Sequence, residues 1–451
     1  MNIFFVSLGC DKNLVDSEVM LGLIRERGYQ ITDVEENADI IVVNTCCFIN
    51  DAKEESINTI LEMAKYKKEG NLKGLIVAGC MAQRYKEDIS KEIPEVDAIL
   101  GTSGCDAIVA VIEEVLEGKK SVVVKKPEEE GTVKTSRVNT TGGFYSYLKI
   151  AEGCDKHCTY CIIPSIRGKY RSVPMEKLVS EAEALVRGGV KELILVAQET
   201  TLYGNDIYGY KALPKLLQAL CKIEDLEWVR ILYCYPEEIT DELIEVMNSE
   251  EKVCNYLDMP IQHASNAILK KMGRRTSKEE LTSIVNKLKT NIPDIALRTT
   301  LITGFPGETQ EDHDELMEFV KDMEFDRLGV FTYSKEEDTP AAKLTPQIHK
   351  HIKKRRQGEI MKLQQEIAFM HAKDMIGKTL KVMIEGKLPE DDKDVFSSTE
   401  NVYIARTYMD APNVDGYIFV RVRGEIMSGE FVKVMVTDAK EYDLIGEIVY
   451  E

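Results

Sequence analysis

The chain has 451 residues, 44% of them hydrophobic and 30% charged, with no low-complexity tract and no short repeat. This length predicts two or three domains, and the formal charge of −19 argues against a large phosphate-binding surface. No apolar run approaches the roughly 18 residues of a membrane span, and the N-terminus lacks the pattern of a secretory signal. We therefore expect a cytosolic protein without a membrane partner.

The first part of the chain, residues 1–118, alternates short apolar runs with helical patterns. This alternation is typical of a parallel α/β layer domain. The predicted strands cover residues 3–8, 39–44, 74–79 and 98–100, and the first predicted helix covers residues 16–28. A charged stretch at 125–143 follows the last helical pattern, and we predict a linker at residues 119–143.

The alternation of strands and helices resumes over residues 144–370. Five or six βα units of this size fit a complete or partial TIM-type barrel, with an active site at the carboxyl ends of its strands. A basic helical stretch, residues 349–373, precedes a change of pattern. Short strands with turn signals over residues 371–451 predict a small closed β-barrel of the OB-like kind.

The sequence GCDKHCTYC (153–161) follows the first predicted strand of the barrel. It carries three thiols, Cys154, Cys158 and Cys161. Three thiolates on one loop can hold a four-iron cluster and leave one iron open, whereas an incomplete zinc site or a chance grouping is the alternative. We expect His157 to pack within the loop, because a histidine ligand would occupy the open iron.

A second set of cysteines is spread over the first domain. Cys10, Cys46 and Cys80 each stand just past a predicted parallel strand. Ligand sites of open α/β sheets lie outside the carboxyl ends of the strands. Because neighbouring strands are only about 4.8 Å apart, these thiols are predicted to converge on one centre. Alone, each would be read as a core cysteine. Structural roles are predicted for the other cysteines of the eleven: Cys47, Cys105, Cys221, Cys234 and Cys254.

The loop at 153–161 resembles the hallmark of the radical S-adenosylmethionine superfamily. Together with the N-terminal cysteines and a C-terminal barrel similar to the TRAM domain, it makes the whole chain resemble the methylthiotransferases. The resemblance implies two [4Fe-4S] clusters, one on Cys154, Cys158 and Cys161 and one on Cys10, Cys46 and Cys80. It also implies that S-adenosylmethionine serves twice, as methyl donor and as radical source.

Within this family the residues favour a protein substrate. The stretches 6–20, 153–172 and 256–275 are similar to the enzymes that modify an aspartate of a small-subunit ribosomal protein. The transfer-RNA enzymes typically carry Gln-Met-Asn after the first cysteine and Ser-Gly-Ser where residues 262–265 stand.

Charge supports the same choice. Residues 374–451 contain 16 acidic and 9 basic residues, a net charge of −7, which suits a basic ribosomal protein better than RNA. The basic stretch 350–356 points the other way. A transfer-RNA adenosine methylthiotransferase is therefore kept as the alternative, and a non-enzymatic iron–sulfur electron carrier as an alternative of another class.

The implied reaction inserts a methylthio group at the β-carbon of the aspartate. It requires a low-potential electron donor such as a flavodoxin or ferredoxin. By position on the barrel strands, we predict contacts to S-adenosylmethionine from Gln198, Glu199, Thr300 and Gly304. Each could equally serve barrel packing, since a glycine at a strand end is more often a turn.

Overall fold

The computed structural model describes residues 1–70, 72–126, 136–389 and 401–450. Three units follow one another in this part of the chain: a parallel α/β sheet, a second parallel sheet with helices, and a closed β-barrel. Residues 127–135, inside the predicted linker, lie outside the described residues. The fold thus has the predicted class and the predicted order of units.

The N-terminal unit is an α/β layer. Its elements are β1 (Asn2–Ser7), α1 (Asp11–Glu26), β2 (Gln30–Thr32), β3 (Ile40–Thr45), α2 (Asn50–Ala64), α3 (Tyr66–Glu69), β4 (Gly74–Ala78), α4 (Gly79–Arg84), α5 (Lys86–Glu92), β5 (Ala98–Leu100), α6 (Ile108–Leu116) and β6 (Ser121–Val123). All strands are parallel, in the order β2-β1-β3-β4-β5-β6. Both faces of the sheet are covered by helices, which explains why β3 and β4 are fully buried.

Two strands of this sheet have no counterpart in the prediction. Both β2 and β6 are three-residue edge strands, too short for a period to be visible. Strand β6 lies inside the predicted linker, so the linker prediction began too early. Helix α1 also begins earlier than predicted, at Asp11 instead of residue 16. Its first turns carry polar residues that are buried against other parts of the protein, and this hid the helical pattern.

The central unit is built from βα repeats. Its elements are β7 (Tyr145–Lys149), β8 (Ala151–Glu152), α7 (Ile163–Arg167), β9 (Arg171–Ser172), α8 (Met175–Arg187), β10 (Glu192–Val196), α9 (Asn205–Tyr208), α10 (Leu213–Cys221), β11 (Trp228–Ile231), α11 (Asp241–Ser249), β12 (Val253–Asp258), α12 (Asn266–Met272), α13 (Lys278–Asn291), β13 (Ala296–Thr303), α14 (Gln310–Met323), β14 (Arg327–Thr332) and α15 (Lys350–Asp374). Six strands form one parallel sheet in the order β7-β10-β11-β12-β13-β14. Of the two predicted forms, the structure therefore has the partial barrel.

Side chains alternate between the two faces of this sheet. On β10, Leu193 and Leu195 pack with the surrounding helices. The intervening Ile194 and Val196 pack in a second cluster that includes residues of the C-terminal barrel and Val15 of α1. The inner face of the partial barrel is therefore covered by the two neighbouring units.

The C-terminal unit is a closed barrel. Its strands are β15 (Thr379–Lys387), β16 (Asn401–Thr407), β17 (Ile418–Val422), β18 (Phe431–Lys440) and β19 (Asp443–Ile448), closed in the order β15-β16-β17-β19-β18. A buried ion cluster fastens it to the central sheet. Glu192 accepts hydrogen bonds from Arg230 of β11 (2.7 Å) and from Arg406 of β16 (2.6 Å), and none of the three side chains is exposed.

Candidate active site

The N-terminal cysteines lie together at the carboxyl edge of the first sheet. Strands β1, β3 and β4 are neighbours, and Cys46 directly follows β3. Cys10 stands immediately before α1, and Cys80 lies in the first turn of α4. Thr45 pairs with Gly79 in a parallel bridge, so Cys46 and Cys80 each follow a paired residue. The sheet register thus brings the three strand ends to one place.

Contacts between the loops show how close these thiols are. A Cβ atom at Gly9, whose φ is +89°, would lie 2.6 Å from Cβ and 3.0 Å from Sγ of Cys46. Burial raises the pKa of Cys80 to about 12; Arg167 opposes this, and negative charge on Cys10 and Cys46 adds to it. Burial likewise raises the pKa of Cys46, and Cys10 adds to that increase. Three thiols at neighbouring strand ends form a suitable donor set for an iron–sulfur cluster.

Amide side chains hold the three loops in register. Asn13 of α1 donates hydrogen bonds to the carbonyl oxygens of Leu8 (2.7 Å) and Thr45 (3.3 Å). Asn44 donates to the carbonyl oxygen of Asn13 (2.9 Å) and to the Ser17 hydroxyl (2.8 Å). Both amides are fully buried, so the loop ends of β1 and β3 are fixed to the first turns of α1.

The second set of cysteines lies on the loop that follows β7 and β8. Cys154 and Cys158 are buried and Cys161 is half-buried. Burial raises the pKa values of Cys154 and Cys161 to about 12, and the charge of Cys158 adds to both increases. The backbone amide of Lys156 donates to Cys154 Sγ at 3.4 Å. The three thiols therefore lie on one loop at the carboxyl end of the first barrel strand.

Glycine is required where this loop begins. Gly153 has φ +81°, and a Cβ atom there would lie 2.1 Å from the Lys169 carbonyl oxygen. The amide of Cys154 donates to the Gly168 carbonyl oxygen at 3.1 Å. The start of the cysteine loop is thus bound to the segment between α7 and β9, which sets the direction in which Cys154 points.

Two of the residues predicted to contact S-adenosylmethionine lie beside the cysteine loop. Gln198 donates to Glu152 Oε1 at 2.8 Å, and Glu152 precedes Gly153. Burial raises the pKa of Glu199 to about 8, and the charge of Glu199 raises that of Cys154. Gln198 Oε1 and Glu199 Oε2 are buried without a hydrogen-bond partner. Such free polar atoms beside the open position suit a polar cofactor.

The other two predicted contacts lie on β13 and just after it. Thr300 accepts a hydrogen bond from the amide of Gln262 through its carbonyl oxygen (2.9 Å). Gly304 has φ +70°, and a Cβ atom there would lie 2.3 Å from Cγ of Lys353 on α15. The close approach of α15 explains the glycine at 304 without a ligand. Phe305, the residue after Gly304, packs edge-on against Tyr160 of the cysteine loop, with ring centroids 6.5 Å apart.

The remaining cysteines behave as structural residues, with small differences. Cys47, Cys234 and Cys254 are buried in the core, as predicted. Cys221 and Cys105 are half-buried, and the Cys105 thiol lies 3.5 Å from the Thr102 carbonyl oxygen. The expectation for His157 was wrong in one respect, because its side chain is exposed and does not pack within the loop.

The described residues contain no site for a single metal ion. Within residues 1–70, 72–126, 136–389 and 401–450, no three His, Cys, Asp or Glu side chains are arranged to hold a single metal ion. The ligands of a four-iron cluster bind different irons, so they are spaced more widely than those of one ion. The six cysteine ligands remain a prediction that rests on the donor chemistry described above.

Sequence reasoning missed the residues that face the cysteines from elsewhere in the fold. Tyr235, after β11, places its hydroxyl 3.8 Å from Cys158 Sγ. Arg167, in α7, places Nη2 3.5 Å from Cys80 Sγ. A single arginine in the apolar run IIPSIR was a weak signal, since a buried arginine needs partners that the local sequence does not show.

A third missed group lies between the N-terminal cysteines and the barrel. The Lys12 ammonium sits 3.2 Å from the ring centroid of Tyr233 and 3.0 Å from Asp11 Oδ1. Tyr233, just past the carboxyl end of β11, donates to Asp11 Oδ1 at 3.0 Å and has φ +61°. Strained backbone of this kind is concentrated at functional sites. These contacts bring the first turn of α1 onto the mouth of the barrel.

Family models match all three units of the chain. Residues 2–101 match an uncharacterized protein family designated UPF0004, residues 148–320 the radical SAM superfamily, and residues 376–449 the TRAM domain. The fold and the cysteine loop are thus those of a radical S-adenosylmethionine enzyme.

Relatives along the whole chain define the family further. The chain is 69% identical over 446 residues to the ribosomal protein uS12 methylthiotransferase RimO of Lachnoclostridium phytofermentans, covering 99% of each chain. It is 51% identical over 453 residues to the RimO protein of Acetivibrio thermocellus, covering 99% of this chain and 98% of the relative. This protein belongs to the RimO family of radical S-adenosylmethionine methylthiotransferases, and it is an enzyme.

Solved structures share the fold at low sequence identity. The radical S-adenosylmethionine methyltransferase TsrM of Kitasatospora setae superposes with a TM-score of 0.57 at 13% identity, covering 75% of this chain and 76% of TsrM. The cobalamin-dependent enzyme OxsB gives 0.53 at 12% identity, covering 80% of this chain and 56% of OxsB. These likenesses extend beyond one domain, and they support the arrangement of the fold alone.

No helix in the described part of the chain is long and apolar enough to cross a membrane.

Proposed function

We propose that this enzyme inserts a methylthio group at the β-carbon of an aspartate side chain of ribosomal protein uS12. The proposal is carried by two three-cysteine sites, one on three neighbouring strand ends and one on the barrel loop. Arg167 joins them, because it contacts both Cys80 and Glu152, which precedes the loop. This chain covers 98–99% of the length of two relatives named ribosomal protein uS12 methylthiotransferase RimO, which supports uS12 as the substrate.

The chain's residues would hold two [4Fe-4S] clusters. Cys154, Cys158 and Cys161 would bind the first and leave one iron for S-adenosylmethionine. Cys10, Cys46 and Cys80 would bind the second. When bound, these groups supply what no side chain can: one-electron removal of hydrogen from an unactivated carbon, and a carried sulfur.

The protein itself positions S-adenosylmethionine and excludes water from the site. Gln198 and Glu199 present unpartnered polar atoms beside the barrel loop, and we propose that they contact S-adenosylmethionine. We propose Thr300, on β13, and Gly304, directly after it, as further contacts by their position. The covered inner face of the barrel keeps water from the buried end of the site.

The distribution of charge supports a protein substrate. Arg406, one of the basic residues of the C-terminal barrel, is fully buried between Glu192 and Glu385, so it adds nothing to the surface. In the basic stretch 350–356, Arg356 is buried against Glu308 at 2.8 Å, and Lys353 donates to the Tyr333 carbonyl oxygen at 2.7 Å. Part of that stretch therefore serves packing of α15 and is not available to RNA.

We also propose a cytosolic enzyme that receives electrons from a flavodoxin or ferredoxin. Its proposed domains are those predicted, with the N-terminal domain extended through β6. The radical chemistry requires an external low-potential donor because the barrel cluster must be reduced.

The test uses anaerobically reconstituted enzyme with S-adenosylmethionine, dithionite and uS12. We expect a uS12 product about 46 Da heavier, since one hydrogen is replaced by a methylthio group. Transfer RNA from a deletion strain, treated in the same way, serves as the competing substrate. Modification of the RNA with uS12 unchanged would refute the proposal.

Iron and sulfide analysis tests the two-cluster arrangement. About eight irons per chain support two four-iron clusters. Zinc, or four irons alone, would contradict the two-cluster arrangement.

A further inference from the structure

Arg167 connects the two cysteine sites, which lie in different units of the chain. It closes α7, six residues after Cys161, and only 2% of its surface is exposed. Its guanidinium enters the N-terminal unit, where Nη2 lies 3.5 Å from Cys80 Sγ and donates to Asn13 Oδ1 at 3.1 Å. A residue of the barrel thus donates to a cysteine of the other site.

Two carboxylates hold this guanidinium in place. Nη1 of Arg167 donates to Asp16 Oδ2 at 3.0 Å and to Glu152 Oε2 at 2.8 Å. Lys149 donates to both of the same carboxylates. Because the carboxylates occupy the Nη1 edge, the Nη2 edge is directed at Asn13 and the sulfur of Cys80. An arginine can make these contacts at once because its donors form a rigid fork.

The contact with sulfur has an electrostatic consequence. Reduction potentials of iron–sulfur clusters depend on hydrogen bonds to the ligand sulfurs, on charge and on exposure to solvent. One-electron reduction makes such a site more negative by one charge. A buried cation that donates to a ligand sulfur stabilises the reduced form more than the oxidised form, so it raises the potential.

We propose that Arg167 is a positioning residue that sets the reduction potential of the N-terminal cluster through the buried positive charge that it holds beside the Cys80 sulfur. The inference rests on the proposed function, which assigns Cys80 to that cluster. The electron comes from the same low-potential donor that reduces the barrel cluster, or from dithionite in the assay. The charge of the N-terminal site is thereby controlled by a residue whose backbone belongs to the barrel.

The experiment measures the midpoint potential of the N-terminal cluster alone. The full-length chain carries C154A, C158A and C161A, so that only this cluster contributes to the electron paramagnetic resonance signal during a dithionite titration. In that background, Arg167→Gln is expected to lower the equilibrium constant for reduction at least tenfold, which is about 59 mV for one electron. Arg167→Lys keeps the positive charge near Cys80, so its equilibrium constant for reduction is expected to stay within about threefold of the parent.

A matched control is Arg187→Gln. Arg187 ends α8, its side chain is 70% exposed and its partner is Glu183, so the same chemical change there should leave the potential unaltered. An unchanged potential in Arg167→Gln would overturn the inference, and so would a Lys variant shifted as far as the Gln variant.

Iron content covers the case in which the Gln variant does not hold its cluster. Loss of iron in Arg167→Gln with retention in Arg167→Lys supports the inference, because the two variants differ in charge. Loss in both variants would contradict it and assign the residue a packing role. None of these readouts uses uS12, so the inference and the proposed function can fail separately.

Discussion

The two cysteine sites are built in opposite ways. The barrel site takes all three thiols from one loop of nine residues, 153–161. The N-terminal site takes its thiols from three neighbouring strand ends that are 36 and 34 positions apart in the chain. The first arrangement survives as long as one loop keeps its shape. The second exists only when the sheet is formed and its register is correct.

The side chains around the two cysteine sites also differ in which unit they come from. Cys158 has a neutral hydroxyl, that of Tyr235, at 3.8 Å. Cys80 has the guanidinium of Arg167 at 3.5 Å, and this side chain comes from the other unit. The N-terminal site therefore depends on the contact between units, whereas the barrel site depends on its own unit. Substitutions can separate the two dependencies.

The largest effect is expected when each site loses a ligand. Cys158→Ala should lower the rate of reductive cleavage of S-adenosylmethionine at least about 10³-fold, because the cluster held there carries out the radical chemistry. Cys46→Ala should retain that cleavage and give no methylthio product. Chromatography of 5′-deoxyadenosine and mass spectrometry of uS12 check both outcomes.

Cys254→Ala is the control for a cysteine-to-alanine change, since Cys254 is 3% exposed and packs in the core. It should keep both activities. Loss of cleavage in Cys46→Ala would show that the sites do not act independently, and the comparison would fail.

The next effect separates the sites through the contact between units. The Asp16 carboxylate accepts hydrogen bonds from both Arg167 and Lys149, and only 7% of Asp16 is exposed. Asp16→Asn removes the negative charge of this carboxylate. We expect the N-terminal cluster to be held about 2 kcal/mol less tightly, since Glu152 still pairs with both cations. A chelator challenge followed by iron counting should show early loss of four irons and normal retention of the other four.

Asp33→Asn is the matched control, because Asp33 is exposed on the same unit. Equal loss of iron from both sites in Asp16→Asn would mean that the barrel site also depends on the contact between units.

A smaller effect is expected on the stability of the barrel unit at low pH. His263 is fully buried, its Nδ1 accepts from the amide of Ser265, and burial lowers its pKa to about 3. The unfolded chain therefore binds a proton below pH 6.5 that the folded chain does not bind, so stability falls as the pH falls. At pH 5.5 this amounts to about 1.4 kcal/mol relative to neutral pH.

Urea denaturation of the cluster-free protein at pH 7.5 and 5.5 measures this loss. His263→Asn should make the loss smaller by that amount, while His351→Asn, at an exposed position of α15, should not. A pH dependence that is the same in all three proteins would contradict the assignment to His263.

The smallest effect concerns the hydroxyl beside the barrel site. Tyr235→Phe removes a contact of 3.8 Å, which is long for a hydrogen bond even to sulfur. In a chain carrying C10A, C46A and C80A, the equilibrium constant for reduction of the barrel cluster should change by less than about threefold. A shift as large as that of Arg167→Gln would remove the distinction between the two surroundings.

Much of the fold was predictable because its signals are local. The runs that become β3 and β4 are continuously apolar and bounded by helical patterns, so both strands were predicted within one residue of their ends. The edge strands β2 and β6 were missed, since three residues are too few to show a period. The start of α1 was missed because Lys12, Asn13 and Asp16 are polar yet buried against partners that are distant in sequence.

The candidate site divides in the same way. By itself, the sequence determined the chemistry: three thiols at 154, 158 and 161 on one loop, and three more behind apolar runs, because ligand type and local spacing are written in the order of residues. Only the tertiary structure decided which strand ends are neighbours, that Gln198 and Glu199 lie beside the loop whereas Gly304 lies against α15, and that Arg167 reaches Cys80. Register and burial arise from pairing between distant segments, and a buried charge such as that of Arg167 is stable only where the fold brings its carboxylates to it.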